Sequence, residues 1–382
     1  MLPEPPQDRL VLMLAGDVMT GRGMDQAMHH PVNPALHEGF VKDAREYLHL
    51  AEAAHGPVPR PVPPAYPWGA ALAEIERRAP RLRIVNLETA VTATGKPWPG
   101  KGIHYRMHPA HTDCLRVARL DACTLANNHV ADWGLDGLVQ TLTSLHAAGL
   151  QTAGAGTDAE SASAPACWSM PGLPRVLLFS LAEPGCGVPA GWGATASHPG
   201  VALLPDLKAG TADQLARCVL AQRHPGDIVI VSLHWGGNWG LAVPSAHRDF
   251  AHRLIDAGAA DVVHGHSSHH PMPLEVYQGR LVLYGCGDLI NDYEGIAPHG
   301  RHDTLPSDIG CLYFVHLHAG GGALAKLEIV PFERRRLQLV PAGAKARQWM
   351  SAEVLQASTV GNWAWTARDG AWVVEPATPS GA

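Results

Sequence analysis

The sequence lacks the long apolar runs that would mark a membrane-spanning or exported protein. No stretch approaches the roughly 20 apolar residues that a spanning helix requires. The short apolar run over residues 10–15 follows acidic residues and prolines, whereas a signal peptide would begin with basic residues. We therefore expect a buried strand at this position, and neither a membrane span nor an export signal.

Basic residues and paired cysteines are also scarce. The 29 Lys and Arg residues are outnumbered by 35 Asp and Glu residues, which gives a formal net charge of -6. This balance argues against nucleic acid or an anionic membrane surface as a partner. The seven cysteines are an odd number without a CxxC pair, so we expect reduced thiols and a cytoplasmic protein.

The remaining composition is that of a globular enzyme. The 382 residues are 46% hydrophobic and 17% charged, which is enough for a large core. Short apolar runs alternate with helical patterns and end in Gly, Asp, Asn, Glu or His, as in LVLMLAGD, RIVNLET, ACTLANNH, DIVIVSLHWG, DVVHGH and RLVLYGCGD. This pattern predicts a layered α/β fold, in which ligands gather beyond the strand ends.

The chain predicts one main domain over residues 9–335. Within it, residues 29–67 are rich in Pro and His and are expected to form an insertion that covers the site. Residues 336–382 are expected to add a C-terminal helix and a hairpin that turns at Asp369 and Gly370.

Polar residues at the predicted strand ends carry the chemistry. The candidates are Asp17, Glu88, Asn128, His129, His234, His264, His266 and His269. Imidazole and carboxylate groups bind divalent metals, and two ions about 3.5–4 Å apart need a bridging carboxylate. A single polar strand end is commonly a turn former, but the whole series predicts a metal site.

Six segments together resemble the CapA-like branch of the calcineurin-type metallophosphoesterases, a family of capsule and poly-γ-glutamate synthesis. They lie between about residues 10 and 335 and read AGDVMTGRG, NLE, LANNHVADWGLDGL, LHWGGNW, GHSSHHP and LVLYGCGDLIND. The resemblance implies a four-layer αββα sandwich. It also implies two divalent metal ions, with Zn, Mn, Fe and Ca not distinguished.

The resemblance further implies particular ligands. Asp17 and Glu88 correspond to the metal-binding carboxylates, with Glu88 as the bridge. The other implied ligands are Asn128, His234, His266 and His269, and His264 is a further candidate. Which of the histidines at 264, 266, 269 and 270 bind metal stays open at this point.

The sequence departs from the family pattern at three places. Met19 stands where phosphatases of the superfamily carry a histidine, so ordinary phosphatase activity is not expected. Cys286 and Asp288 occur in GCGD where relatives often read Ser-Leu-Gly-Asn, and His264 replaces an aliphatic residue.

The added ionisable groups suggest acid/base chemistry. His129, Asp288 and Cys286 are the candidate catalytic residues, because proton transfer needs titratable groups beside the substrate. Arg22 and Trp235 are the candidate substrate-binding residues.

Three functions from different classes follow. The first is metal-assisted epimerisation at Cα in a ribosomally made, lasso-type peptide, because CapA-like proteins are also known among lasso-peptide tailoring enzymes. Its expected partners are the peptide substrate and a protein that binds the precursor peptide. The second is a metal-dependent hydrolase or transferase acting on poly-γ-glutamate or a phosphoester. The third is a non-catalytic, metal-stabilised subunit of a synthetase complex.

Overall fold

The computed structural model describes residues 9–296 and 305–377. Its strands, in chain order, are β1 (Arg9–Val18), β2 (Leu82–Leu87), β3 (Ala90–Val91), β4 (Arg106–Met107), β5 (Ala122–Thr124), β6 (Gln151–Ala153), β7 (Ala155–Gly156), β8 (Ala166–Trp168), β9 (Val176–Ala182), β10 (Gly200–Val201), β11 (Ile228–His234), β12 (Val262–His266), β13 (Leu274–Tyr277), β14 (Arg280–Leu283), β15 (Asp288–Ile290), β16 (Ile309–His318), β17 (Leu324–Arg335), β18 (Gln338–Pro341), β19 (Trp363–Arg368) and β20 (Ala371–Pro376).

The α-helices, in chain order, are α1 (Arg22–Gln26), α2 (Arg45–His55), α3 (Ala71–Arg78), α4 (Asp113–Val117), α5 (Gly134–Ala147), α6 (Ala159–Ser163), α7 (Ala209–Leu220), α8 (Ser245–Asp256) and α9 (Ala344–Trp349). Short 3₁₀ turns occupy Pro109–Thr112, Pro184–Cys186 and Ala190–Trp192, and a π-helical turn, Met350–Leu355, continues α9. None of the helices in the described ranges is long and apolar enough to span a bilayer.

Two large sheets organise the chain. The first has ten strands in the order β19-β20-β17-β16-β1-β2-β5-β6, with β15 beside β1 and β18 beside β17. The second has six strands in the order β13-β14-β12-β11-β9-β8. In each sheet the central strands are parallel, so their carboxyl ends lie at one edge. This edge is where ligands bind in open α/β sheets.

The sheets pack face to face between two layers of helices. Along β1, Leu12 and Leu14 enter the core between the sheets, whereas Met13 and Ala15 pack on the helical side, as the alternation of a strand requires. On the second sheet, Ile230 enters the same inner core and Val231 packs on the α7 and α8 side. The predicted four-layer αββα sandwich is therefore confirmed.

The C-terminal segment joins the first sheet. The hairpin of β19 and β20 turns at Asp369 and Gly370, and β20 pairs with β17 through Leu327 and Val374. Val374 and Met350 are fully buried in the inner core. These elements close the sandwich on the side away from β2.

The strand before Asp288 differs from the sequence interpretation. The run RLVLYGCGD was read as one strand that ends in the acid, but β14 ends at Leu283 in the second sheet. Asp288 begins β15, which pairs with β1 in the first sheet at Asp17. The chain can cross between the sheets here because Gly287 adopts a φ of +73°, which glycine tolerates without strain.

Candidate metal centre

Three buried side chains at neighbouring strand ends form the centre of the site. Asp17 lies at the end of β1, Glu88 follows β2, and His234 ends β11. One ligand atom from each lies within 4.8 Å of the other two. The first sheet thus supplies two carboxylates and the second sheet an imidazole, which is a donor set suited to a divalent cation.

The two carboxylates are costly to bury without a cation. Burial, together with the nearby Asp288 carboxylate, raises the pKa of Asp17 to about 7. Burial and the Asp17 carboxylate raise the pKa of Glu88 well above its usual range. Buried like charges need a proton or a cation to neutralise them. The residues present therefore fit a divalent metal ion, which would release the retained proton on binding.

Asn86 orients both carboxylates, a role that sequence reasoning missed. Its Nδ2 atom donates to Asp17 Oδ1 at 2.7 Å and to Glu88 Oε2 at 3.3 Å. Its Oδ1 atom accepts from Asn127 Nδ2 at 3.0 Å. The signal was available, since residues two apart on a strand share one face.

The two asparagines that precede His129 have different positions. Asn128 Oδ1 lies 3.2 Å from His234 Nε2, beside the cluster, as the predicted ligand role requires. Asn127 instead holds the loop, because its Oδ1 atom accepts from the backbone amides of His129 and Val130 at 3.0 and 2.9 Å.

His266 offers a ring nitrogen to the site. Its Nε2 atom lies 2.5 Å from Ser232 Oγ, and its Nδ1 atom lies 3.8 Å from Asp17 Oδ1. That buried Nδ1 atom has no hydrogen-bond partner among the described residues. Since buried polar atoms are nearly always paired, the unpaired nitrogen next to a carboxylate fits a metal ligand.

His264 and His270 point to other partners. His264 Nε2 donates to the carbonyl of Ala15 at 2.9 Å, so this nitrogen is committed to the end of β1. The structure therefore does not bring His264 to a cation at the cluster, contrary to its prediction as a ligand. His270 Nε2 accepts from the amide of Gly240 at 3.1 Å and so helps to hold the neighbouring loop.

His269 and Asp288 form a histidine–carboxylate pair beside Asp17. His269 Nδ1 lies 3.0 Å from Asp288 Oδ1, and Asp288 Oδ2 accepts from Asn291 Nδ2 at 2.7 Å. Burial alone would lower the pKa of His269, but the Asp288 carboxylate outweighs it and the pKa is raised overall. His269 Nε2 is the nitrogen that this pair leaves for a metal or a substrate.

His129 and Asp132 form a second such pair beside Glu88. His129 Nδ1 lies 2.7 Å from Asp132 Oδ2, and His129 Nε2 lies 3.7 Å from Glu88 Oε1. Lys101 Nζ donates to Asp132 Oδ1 at 2.5 Å. Burial lowers the pKa of His129 to about 4 despite the Asp132 charge. Asp132 and Lys101 were not predicted, although Asp132 stands three residues after His129.

A pair of tyrosines connects the two histidines. Tyr105 donates its hydroxyl hydrogen to the Tyr293 hydroxyl at 3.0 Å. The Tyr105 ring lies edge-on to His129, with ring centroids 4.6 Å apart, and the Tyr293 ring lies edge-on to His269 at 5.3 Å. The two histidine–carboxylate pairs therefore share one aromatic wall.

Arg22 supports this wall from behind. Its guanidinium pairs with Asp292 and with Glu38 Oε1 at 3.0 Å, and it lies 4.2 Å from the centre of the Tyr105 ring. Only 2% of the side chain is exposed. A substrate carboxylate would have to displace one of these acids, so the contact predicted for Arg22 is absent from this geometry.

Cys286 and Trp235 are likewise not brought to the cluster. Cys286 packs in the inner core, where burial raises the pKa of its thiol well above the usual range and disfavours a thiolate base. Trp235 packs in the outer core, stacks on His247 at 4.5 Å and donates to the carbonyl of Tyr284 at 2.9 Å. Cys286 therefore does not have the position that its predicted catalytic role requires, and Trp235 does not have the position that its predicted substrate-binding role requires.

Met19 occupies the position at which the sequence resemblance implies a histidine in phosphatases. It is fully buried, and its amide donates to the carbonyl of Ile290 at 2.7 Å. A thioether is a soft ligand that suits Cu(I) better than the cations held by carboxylates and imidazoles. Met19 therefore does not replace the imidazole that the sequence resemblance implies at this position.

The fold is thus an αββα sandwich with a candidate metal centre of carboxylates and a histidine at its strand ends. Residues 11–293 match the family described as bacterial capsule synthesis protein PGA_cap, and the chain belongs to that family.

Several relatives have been described. A probable polyglutamine synthesis accessory protein of Mycobacterium tuberculosis is 44% identical over 344 residues, which cover 90% of each chain. The PGA biosynthesis protein CapA of Bacillus subtilis is 26% identical over 71% of this chain and 65% of its own length. A solved structure described as a novel phosphatase of Mycoplasma pneumoniae is 11% identical, with a TM-score of 0.45, and the match covers 90% of this chain and 98% of that one. At that level the likeness extends to neither substrate nor reaction.

Proposed function

We propose that this protein is a metal-dependent enzyme that exchanges the proton at Cα of a residue in a peptide and thereby epimerises it. The observation that carries the proposal is the presence of two histidine–carboxylate pairs at one metal cluster. His129 and Asp132 lie on the Glu88 side, and His269 and Asp288 lie on the Asp17 side.

The two histidines are suited to opposite tasks. Epimerisation needs one group that removes a proton and another that returns one to the opposite face. The lowered pKa of His129 leaves its Nε2 atom unprotonated at neutral pH while Nδ1–H donates to Asp132, so His129 is the proton acceptor. The raised pKa of His269 favours its protonated form, so His269 is the proton donor.

The remaining residues of the cluster bind and orient the substrate. A divalent cation held by Asp17, Glu88 and His234, with Asn128 and His266, would supply Lewis-acid stabilisation of the charge that develops at the substrate carbonyl. Asn86 fixes the two carboxylates, and the hydrogen-bonded rings of Tyr105 and Tyr293 pack against the two histidines.

The proposed substrate is a ribosomally made, lasso-type peptide. Its proposed partner is a protein that presents the precursor peptide. The support is chemical: every peptide residue has a Cα–H next to a carbonyl, a bound cation would make that hydrogen more acidic, and the site contains two groups that can exchange it. The sequence resemblance to peptide-tailoring members of the family adds to this support.

A deuterium experiment tests the proposal. The metal-loaded protein is incubated in deuterated water with a linear peptide that has a free C terminus, and separately with a γ-linked glutamate oligomer. We expect the peptide to gain one deuterium at Cα and to yield the D-residue on chiral analysis, without cleavage. If mass spectrometry finds a product with a broken bond and one added water, the reaction is hydrolysis and the proposed epimerisation is wrong.

Hydrolysis or transfer on poly-γ-glutamate is the second candidate. The names of the relatives, which concern polyglutamine and PGA synthesis, favour it, and the phosphoester version is disfavoured by Met19. A protein that loads metal but leaves both substrates unchanged would instead be the non-catalytic synthetase subunit.

A further inference from the structure

A polar recess of about 190 Å³ lies next to the pair of His269 and Asp288. Its lining includes Asn291, whose Nδ2 atom donates to Asp288, and Tyr293, whose ring lies against His269. The lining also includes Ser307 and Arg334. The recess therefore adjoins the proposed proton donor but lies outside the metal cluster.

Arg334 is the unusual member of this lining, because its charge is buried without an ion pair. Only 2% of the residue is exposed, and no carboxylate among the described residues forms an ion pair with its guanidinium. The guanidinium donates to the carbonyls of Asp288, Leu289 and Ser307, and its Nε atom has no hydrogen-bond partner in the described ranges. Burial lowers the pKa of Arg334, and the nearby carboxylates of Asp288, Asp308 and Glu294 offset this effect only in part.

The acids that line the recess are already engaged. Glu294 accepts from the amides of Arg336 and Leu337 at 2.7 and 2.5 Å, and it pairs with His55 at 2.6 Å. Asp308 lies 3.8 Å from the Arg335 guanidinium. Neither forms an ion pair with Arg334, and a buried cation costs free energy until it is paired.

We propose that this recess is a carboxylate-binding subsite, in which Arg334 receives an anionic group of the substrate while the neighbouring residue lies at His269. The inference rests on the proposed function for the reaction that takes place at His269. The binding of a carboxylate by Arg334 does not depend on that function. Arginine suits this task because its planar, permanently charged group forms charge-assisted hydrogen bonds with carboxylates. The carboxylate is either a peptide C terminus or a free carboxylate of a γ-glutamyl chain.

Arg334 itself is a poor position for a test, because its three carbonyl contacts also hold β15 in place. Ser307 offers a matched pair of variants instead. Ser307 lines the recess and its carbonyl contacts the guanidinium, so the carboxylate of Ser307→Asp would compete with an anionic ligand for Arg334. Ser307→Asn has nearly the same size but no charge. Both variants leave the cluster side chains unchanged, so a difference between them reports on the recess and not on the metal.

The experiment measures Kd by calorimetry for the metal-loaded protein and the two variants. The probes are a peptide with a free C-terminal carboxylate, its amidated form, and γ-linked triglutamate. We expect Ser307→Asp to weaken binding of a carboxylate probe about tenfold or more relative to Ser307→Asn, the scale of a hydrogen bond to a charged group. Binding of the amidated peptide should be equal in both variants.

The three probes also identify which kind of molecule supplies the carboxylate. A difference confined to the free peptide assigns the subsite to a peptide C terminus, and one confined to triglutamate assigns it to a γ-glutamyl chain. Equal affinities of every probe in the two folded variants would overturn the subsite. Because Kd is measured without turnover, that result would leave the deuterium test of the proposed function unaffected.

Discussion

Asp17 and Glu88 lie side by side although burial disfavours the charge of both and the Asp17 carboxylate raises the pKa of Glu88 further. Their buried amide neighbour, Asn86, fixes them through two hydrogen bonds, so they cannot move apart to relieve the repulsion. Such an arrangement is stable when a cation neutralises it, and neighbours that orient the ligands tune the affinity for the metal. At this scale, the residue contacts favour a metal centre over a structural acid cluster.

Substitution at the cluster should empty the metal site. Glu88→Gln and His234→Ala should lose bound metal because each removes a ligand, and Asn86→Ala should weaken metal affinity about 10- to 100-fold because it frees Asp17. Elemental analysis after dialysis measures the metal. Glu353→Gln makes the same chemical change at an exposed position and should retain it. Full occupancy in Glu88→Gln and His234→Ala would refute the ligand assignment.

Single site residues could be predicted where a side chain that binds metal stands at the end of a predicted strand. Asp17, Glu88 and His234 were identified in this way and do lie together. Asn86 and Asp132 were not identified, because each acts through a neighbouring residue, although Asn86 stands two residues before Glu88 and Asp132 three residues after His129. His264 has the right chemistry and the right strand, but the carbonyl of Ala15 takes its Nε2–H, a long-range contact that the sequence does not encode locally.

At the scale of secondary-structure elements, the site depends on the close approach of β1 to the turn between β14 and β15. A Cβ atom on Gly16 would lie 1.9 Å from the carbonyl oxygen of Gly287 and 2.9 Å from Cβ of Cys286. Glycine at position 16 is therefore what allows β15 to pair with β1 and places Asp288 beside Asp17.

Gly16→Ala should separate these elements. Overpacking of a well-packed interior typically costs about 1–3 kcal/mol, so we expect a loss of this size or more in the free energy of unfolding, with weaker metal binding because Asp17 is displaced. Urea unfolding and metal analysis measure the two effects. Gly210→Ala, in α7 with nothing within 4 Å of the added atom, is the control and should stabilise by roughly 0.5–1 kcal/mol. Equal stability of the two variants would contradict the close approach.

The strands themselves were predictable from apolar runs, whereas their assignment to sheets was not. The run that contains YGCGD looks continuous, but its two halves belong to different sheets. Apolar character specifies burial, and both sheets are buried on both faces near the site, so the pattern cannot tell which neighbour a strand will pair with.

At the scale of the whole molecule, buried neutral histidines should make folding sensitive to acid. Burial lowers the pKa of both His247 and His264 from 6.5 to about 4. Between these values the unfolded chain binds more protons than the folded one, so stability is present at neutral pH and falls as the pH drops through this window. The loss is at most about 3 kcal/mol for each histidine.

Urea unfolding at pH 7 and pH 5 in the presence of a chelator measures the free energy of unfolding and so tests this pH dependence. Asp17 and Glu88 act in the opposite sense in the metal-free protein, because their pKa values are raised. We therefore compare the wild type with His247→Gln, which removes one titrating group and leaves the others. The variant should lose less stability between the two pH values, and an identical loss would show that His247 is not held neutral.

The sandwich assembles the site from distant parts of the chain. The first sheet contributes Asp17, Glu88 and Asp288, the second contributes His234 and His266, and the loop after β5 contributes His129. Metal ligands and proton-transfer groups are different side chains, even where they are neighbours in the chain as Asn128 and His129 are, so their functions should be separable by mutation.

The most direct test of this account measures bound metal and Cα deuterium exchange on the same samples of His129→Ala and Asp288→Asn. We predict that both variants keep most of their metal while exchange falls about 10²-fold or more, the usual scale for loss of a general acid or base. Metal lost in step with exchange would contradict the account, because His129 and Asp288 would then support the metal centre and not the proton transfer.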